Sequence, residues 1–380
     1  MLAKSVCYAV LKVAAIAVPS LAVAQQSGNL IIGEIAPLSG PAATVGTRLN
    51  QVAKMWAEEV NQRGGINGRK IELITCNDEG KPEKAVTCAK DLIDRGSVLL
   101  INDSLAPSIR ATMPLVANGP VMIMPSPIIT PSPDSYVFQV SPSGVHIMQA
   151  IANYLKANKT KSLGMVAATD SSGEIEVANA KTVFSTAGIE LKLARIDLRA
   201  TDASSQLATV AGPDTKVIYS SYAGAGAGTV VKSYANLGLQ QPVIVSYGNL
   251  SAAFVTVIQD KLPRRLLGTG ISALVPEAMT DAASRGRAVA FAKAYQEKYR
   301  ERVDMINLLG KLNTDTVDAI LRNVKNPADP KAVKEYLESN PIPSIHTIRF
   351  TKTNHVGLNE ADLVLVELKN GIWAKADPVN

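Results

Sequence analysis

Residues 70–103 read KIELITCNDEGKPEKAVTCAKDLIDRGSVLLIND. The segment opens on a short apolar run ending at Cys76 and turns through Asn77-Asp78-Glu79-Gly80. It resumes as a helical pattern that starts on Pro82, closes on Gly96 and leads into a second apolar run. Proline suits a first helical turn, where its missing N–H is not needed, and glycine suits the position just past a helix end. Strand, helix and strand within about thirty residues form a βαβ unit, which implies a parallel sheet.

The same alternation runs outward in both directions. LIIGEIA (30–36) precedes the unit and PVMIM (120–124) follows it, and Leu49, Val52, Trp56 and Val60 recur at helical spacing before Gly64-Gly65 stops them. After SPSGVHIMQAIANYLKANK the pattern restarts with SLGMVAATD, IELKLARIDL, KVIYSSY, PVIVSYG and LLGTGIS. A long helical region follows at 281–340, then HTIRF and ADLVLVEL, two strand-like runs that need a sheet to join. The fold class expected is α/β, with two doubly wound Rossmann-like lobes joined by a three-strand hinge. One lobe takes 28–144 plus 276–346 and the other 145–275 plus 347–380, with a cleft between the carboxyl edges of the sheets.

The first 24 residues carry Lys4 and Lys12, an apolar stretch from Val13 to Leu21 and the small-residue end Ala22-Val23-Ala24. That is the pattern of a secretory signal peptide cut after Ala24, which predicts a periplasmic protein. Its apolar stretch is too short to span a bilayer, and Cys7 lies ahead of it. About 355 residues then remain (380 less 24), more than one core organises well. Removing the two lysines takes the formal charge from +6 to +4, without basic runs or interleaved aromatics, so nucleic acid is not an expected partner. The other two cysteines, Cys76 and Cys88, end a strand and sit in the following helix. An exported compartment permits a disulfide, and two small buried residues that never meet are the alternative.

IGEIAPLSGPAATVG (32–46), WAEEVNQRGGINGRKIEL (56–73), NDEGKPEKAVTCAKDLI (77–93), PVMIMPSPIITPSPDSYVFQVSPS (120–143) and ANLGL (235–239) together resemble, in order along the chain, the periplasmic binding proteins of the leucine/isoleucine/valine-binding type. The resemblance implies the type I fold, a cleft for a small solute, a membrane permease of an ATP-driven importer as partner, and a monomer. It also implies a site. The turn after the fourth strand offers a backbone pair and a threonine hydroxyl to the ligand carboxylate, matching Ile128 and Thr130. The start of the helix after NDSLAPS offers a hydroxyl, best matched by Ser104, with Leu105 and Ala106 as neighbouring registers. The residues agree independently, because prolines hold a rigid turn and free N–H groups at a strand's carboxyl end suit an anion.

The second lobe departs from amino-acid binders. Where they carry a tyrosine in a D-x-x-Y-G loop this chain has Ser172, and where they place an acid after a later strand it has Ser246-Tyr247-Gly248-Asn249. Tyr222 aligns with the family's ligand-facing tyrosine. These substitutions favour an organic acid with an apolar or aromatic body and no ammonium, with a branched-chain amino acid next, since a buried ammonium needs a partner. A ligand-sensing module feeding a signalling receptor is the alternative role for the same cleft.

No enzyme is expected. Three histidines, His146, His346 and His355, form no local metal or triad motif, and G-x-G-x-G at 224–228 fails the dinucleotide spacing. Neither cofactor nor metal is anticipated.

Overall fold

A computed structural model describes residues 28–103, 105–197, 199–222 and 225–378. The proposed signal peptide and Ser104 therefore lie outside the described residues. The first sheet is wholly parallel, in the order β2-β1-β3-β4-β5. It contains β1 (Leu30–Ala36), β2 (Ile71–Asn77), β3 (Leu99–Asn102), β4 (Val121–Met124) and β5 (Val137–Gln139). Helices α1 (Ala43–Gln62), α2 (Pro82–Asp94) and α3 (Ala106–Thr112) connect the strands. The expected stripe on α1 is buried, and Gly65 ends the turn beyond it with φ +83°, where a Cβ would meet the Arg69 carbonyl oxygen at 2.1 Å. Cys76 and Cys88 are joined as a disulfide that ties β2 to α2.

After β5 the chain enters α4 (Gly144–Ala157) and a second sheet of β6 (Ser162–Ala168), β7 (Glu190–Ile196), β8 (Val217–Ser220), β9 (Val243–Val245) and β10 (Leu266–Ile271). These five strands are parallel. The helices of this part are α5 (Ser171–Ala187), α6 (Ser204–Val210), α7 (Ala225–Asn236) and α8 (Ala252–Ile258). The helical region at 281–340 resolves into α9 (Ala282–Tyr299), α10 (Met305–Asn323) and α11 (Pro330–Ser339). It breaks at Arg300, in the left-handed region at φ +59°, and again before Pro330. The chain is then back on the first lobe: Trp56 Nε1 of α1 donates to Asp318 of α10 at 3.1 Å, and Gly310 lets α10 close on Val52.

HTIRF does not join the second sheet. Its two strand residues, β12 (Thr347–Ile348), pair with β11 (Ile342–Pro343) in a small antiparallel hairpin. Phe350 then packs edge-on against Phe138 of β5, and His355 stacks on that ring with centroids 3.9 Å apart. Gln139 N donates to the His355 carbonyl at 2.9 Å and Gly357 N to the Gln139 carbonyl at 2.8 Å, extending the first sheet. The last passage between sheets therefore lies between Gly357 and the start of β13 (Leu363–Lys369), later than the boundary expected at 346/347. Aromatic packing on β5, which no local pattern announces, holds the intervening segment. β13 runs antiparallel beside β10, and β14 (Ile372–Lys375) closes the order β14-β13-β10-β9-β8-β6-β7. The sheets are thus joined at three places, at 140–143, 272–281 and 358–362.

Candidate functional site

On the first lobe, the turn after β4 runs Pro125-Ser126-Pro127-Ile128-Ile129-Thr130. Ile129 is buried, Ile128 is half-buried against the same apolar cluster, and Thr130 is exposed at the turn's end. Gly144 N, at the first passage between lobes, donates to the Pro127 carbonyl at 2.8 Å, so the turn is fastened to the hinge. Leu105, the residue before α3, is 40% exposed and packs beside Gly80, whose φ of +71° shapes the turn after β2. Leu105, Ile128 and Thr130 thus belong to loops at the carboxyl edge of one sheet.

A buried carboxyl pair underlies this edge. Glu34 of β1 accepts from Asn50 Nδ2 at 2.5 Å and Thr75 Oγ1 at 2.7 Å, and Asp103, just past β3, accepts from Asn313 Nδ2 at 2.5 Å. Burial pushes the Asp103 carboxyl well above the usual carboxylate range. The charge on Glu34 and the hydrogen bond between the two groups add to this, so Asp103 holds a proton for its neighbour. Sequence reasoning missed this pair.

On the second lobe, the ends of β6, β8 and β9 bring Ser172, Tyr222 and Tyr247 to one sheet edge. Asp170 caps α5 by accepting from Gly173 N at 2.8 Å, with Ser172 half-buried in the first turn. Tyr222 is 3% exposed and its hydroxyl donates to the Asp197 carbonyl at 2.9 Å. Its ring occupies the space over Gly226, where a Cβ would lie 1.3 Å from the ring. Gly226 therefore serves close packing on α7. Asn249 Nδ2 donates to the Tyr222 carbonyl at 2.8 Å and locks the ends of β8 and β9 together. Tyr247 is also buried, and its hydroxyl has no hydrogen-bond partner. Both tyrosines thus show little ring surface.

One acid near this edge escaped the sequence reading. Glu176 lies on the sheet-facing side of α5, one turn beyond Gly173, which packs on the Ala168 carbonyl at the end of β6. Burial pushes its carboxyl up to about 8, while the adjacent Ser221 hydroxyl draws it down and the Asp170 charge adds to the rise. The signal available in sequence was its place beside the buried stripe Gly173, Val177, Ala180 and Phe184.

A separate cavity of about 660 Å³ lies at the hinge, lined among others by His146, Ser272, Asp281, His346, Arg349 and Asp362. In it His346 Nε2 is 3.1 Å from Ser272 Oγ, and its Nδ1 is 3.0 Å from Asp362 Oδ1. The order of groups is that of a hydrolytic triad. Here, however, the string ties the second passage, which carries Ser272, to the third, which carries Asp362, and Ser272 is buried at 8% exposure. His146 caps α4, its ring nitrogen accepting from Ser143 N at 3.3 Å. Among the described residues no three His, Cys, Asp or Glu side chains are grouped to hold a metal. No described helix is long and apolar enough to cross a membrane.

Comparison with known proteins agrees with this architecture. The chain is 31% identical over 99 residues to the Leu/Ile/Val-binding protein BraC3 of Rhizobium johnstonii, covering 26% of this chain and 27% of that one. It is 28% identical over 143 residues to the Leu/Ile/Val-binding protein homolog 3 of Brucella melitensis, covering 36% and 39%. The matching stretches thus span about a quarter to two fifths of these relatives. Among solved structures, the leucine-binding protein LivK of Thermotoga maritima superposes with a TM-score of 0.78 at 17% identity, over 92% of this chain and 99% of its own. A fatty acid ABC transporter substrate-binding protein of Thermomonospora curvata reaches 0.75 at 18%, over 93% and 92%. At such identity the likeness concerns the fold, and one fold serves solutes as different as these names state. With the periplasmic binding protein family matching residues 30–372, nearly all of the described chain, this protein belongs to the type I periplasmic binding proteins.

Proposed function

We propose that this chain is the exported solute receptor of an ATP-driven importer. It captures a small carboxylate-bearing solute between its lobes and delivers it, as a monomer, to a membrane permease. The observation that carries the reading is the proline turn. The loop suited to an anion sits at a carboxyl sheet edge and is bonded through the Pro127 carbonyl to Gly144 at the first passage between lobes, so ligand contact and lobe movement share one backbone hinge. On this reading Leu105, Ile128 and Thr130 form the carboxylate side, and Ser172, Tyr222 and Tyr247 belong to the second-lobe side. The solute class is a carboxylate with an apolar or aromatic body, comprising plain organic acids and branched-chain amino acids. The family is one of substrate-binding proteins, so capture and release, not turnover, is the activity. A transport role is supported by the likeness to a fatty acid ABC transporter substrate-binding protein.

A thermal-shift panel tests this. Leucine, isoleucine and valine are compared with aliphatic and aromatic carboxylates, and a ligand at a hundred times its Kd adds ~2.7 kcal/mol of stability. Stabilisation by at least one of the two groups is expected. No response to either would overturn the reading.

A further inference from the structure

The cavity of about 660 Å³ at the hinge has the volume of a small-molecule site and shares no lining residue with the loops assigned above to the solute. All three passages border it: His146 lies just beyond the first, Thr280 and Asp281 lie on the second, and Asn359 and Asp362 on the third. Its remaining walls come from both lobes. Arg349, directly after β12, belongs to the segment held on the first lobe, where its backbone N–H donates to the Gly357 carbonyl at 2.9 Å. Lys375 ends β14, on the second sheet.

The charged groups of this lining are unequally engaged. Asp281 caps α9 by accepting from Ser284 N at 2.8 Å, and the hydrogen bonds from Ser284, aided by the Arg287 charge, hold its carboxyl below the usual carboxylate range. Asp362 uses both oxygens: one lies 3.0 Å from His346 Nδ1, and the other accepts from Asn359 N at 3.0 Å. His146 has Glu360 at 3.9 Å. The acids are therefore committed to partners within the protein. The two permanent cations are not. Among the described residues neither the Arg349 guanidinium nor the Lys375 ammonium makes a hydrogen bond or an ion pair, and both side chains are exposed. The hydroxyls of Thr280 and Thr347, also in the lining, are likewise without a partner there. Two uncompensated positive charges bordering one cavity repel each other and raise the local concentration of anions.

We propose that the hinge cavity is a second binding site, which clasps a small oxyanion of two or more negative charges between Arg349 of the first lobe and Lys375 of the second. A guanidinium takes one oxyanion end through two parallel N–H donors, and an ammonium takes the other as a point charge. An anion with a single carboxylate could satisfy one wall only, so the ligand class is a dicarboxylate or a phosphorylated compound. Bound there, it ties the lobes together by a link that is not part of the chain. An arrangement of lobes that separates the two cations loses it, so occupancy biases the lobes. The site rests on the cavity and its free cations, independently of how the cleft is read.

The test titrates pyrophosphate and succinate by calorimetry into the full mature chain, without divalent cations and at an ionic strength held constant with sodium chloride. At least one probe is expected to bind saturably, one per chain. Arg349→Gln and Lys375→Gln should each weaken it by about tenfold or more, because each removes a charged donor. Lys375→Arg keeps the charge and should stay within about threefold of the wild type, which separates loss of charge from loss of fold. Thr130→Val, altered at the proline turn, should bind the probe as the wild type does. Failure of both probes to bind, or binding indifferent to both glutamine variants, would overturn the site. Loss in only one of the two would overturn the clasp between lobes. Binding that Thr130→Val weakens while the glutamine variants do not would place the anion in the cleft, overturning this site and leaving the cleft reading standing.

Discussion

Thr130 stands exposed at the end of a turn whose other residues are wholly or partly buried, and its hydroxyl is a side-chain donor at the turn's outer end. Thr130→Val keeps shape and β-branching and removes only that donor. Ligand affinity should fall by about 1.5–3 kcal/mol, the worth of a hydrogen bond to a charged group, with little change in ligand-free melting; calorimetry beside a thermal scan checks both. Gly226 tests the opposite face of the site. Its missing Cβ is the space the Tyr222 ring fills, so Gly226→Ala must push the ring aside and strain the Tyr222–Asp197 hydrogen bond. Overpacking of this kind costs about 1–3 kcal/mol, read as a lowered denaturant midpoint. Thr130 and Tyr222 follow apolar strands, so sequence alone sets them at strand ends, while the roles expected of them come from the family resemblance. Glu176 escaped notice because an acid inside a helix reads as solvated unless its place beside the buried stripe is weighed.

At the scale of elements, two connections carry testable energy. The disulfide closes β2 onto α2 across a separation of 12 residues, at a place where the turn 77–80 supports Leu105. Replacing Cys88 with serine should cost ~2–4 kcal/mol of stability by urea titration, chiefly by freeing the unfolded chain, while leaving ligand affinity near the wild-type value. The Glu34–Asp103 pair joins β1, β3 and α10 and titrates in the folded state. Its raised carboxyl means that the native chain keeps a proton the unfolded chain has already lost. Its contribution is complete below the unfolded value of about 4 and is lost as pH rises through the elevated folded value. Asp103→Asn supplies N–H donors to Glu34 at every pH. Between about pH 5 and pH 9 the variant's melting temperature should therefore gain steadily on the wild type; a constant difference would show that Asp103 does not hold the proton. The cysteine spacing left a bridge open from sequence, and the carboxyl pair could not be read there at all, since its partners Asn50, Thr75 and Asn313 come from three distant segments.

For the whole molecule, function depends on how the lobes are held relative to one another, and one contact outside the passages bears on this. Met305 N, at the start of α10 on the first lobe, donates to the Leu250 carbonyl of the second at 3.2 Å. Ala252 N donates back to the Asp304 carboxylate at 3.4 Å. Arg48 of α1 lies 3.4 Å from the same carboxylate, so a cation of the first lobe steadies an anion that grips the second. Asp304 also caps α10, accepting from Ile306 N at 3.0 Å, and an alanine would confuse loss of the cap with loss of the grip. Asp304→Asn separates them, because asparagine caps a helix well but carries no charge for Arg48 and is a weaker acceptor for Ala252 N. If the contact favours the arrangement of lobes in which ligand is held, weakening it by about 1 kcal/mol lowers the competent population and raises the apparent Kd about fivefold, although Asp304 touches no ligand. Scattering from the ligand-free variant should then give a larger radius of gyration than the wild type, and saturating ligand should remove the difference. Equal affinity and equal radii in the two proteins would show that the lobes are set by the three passages alone.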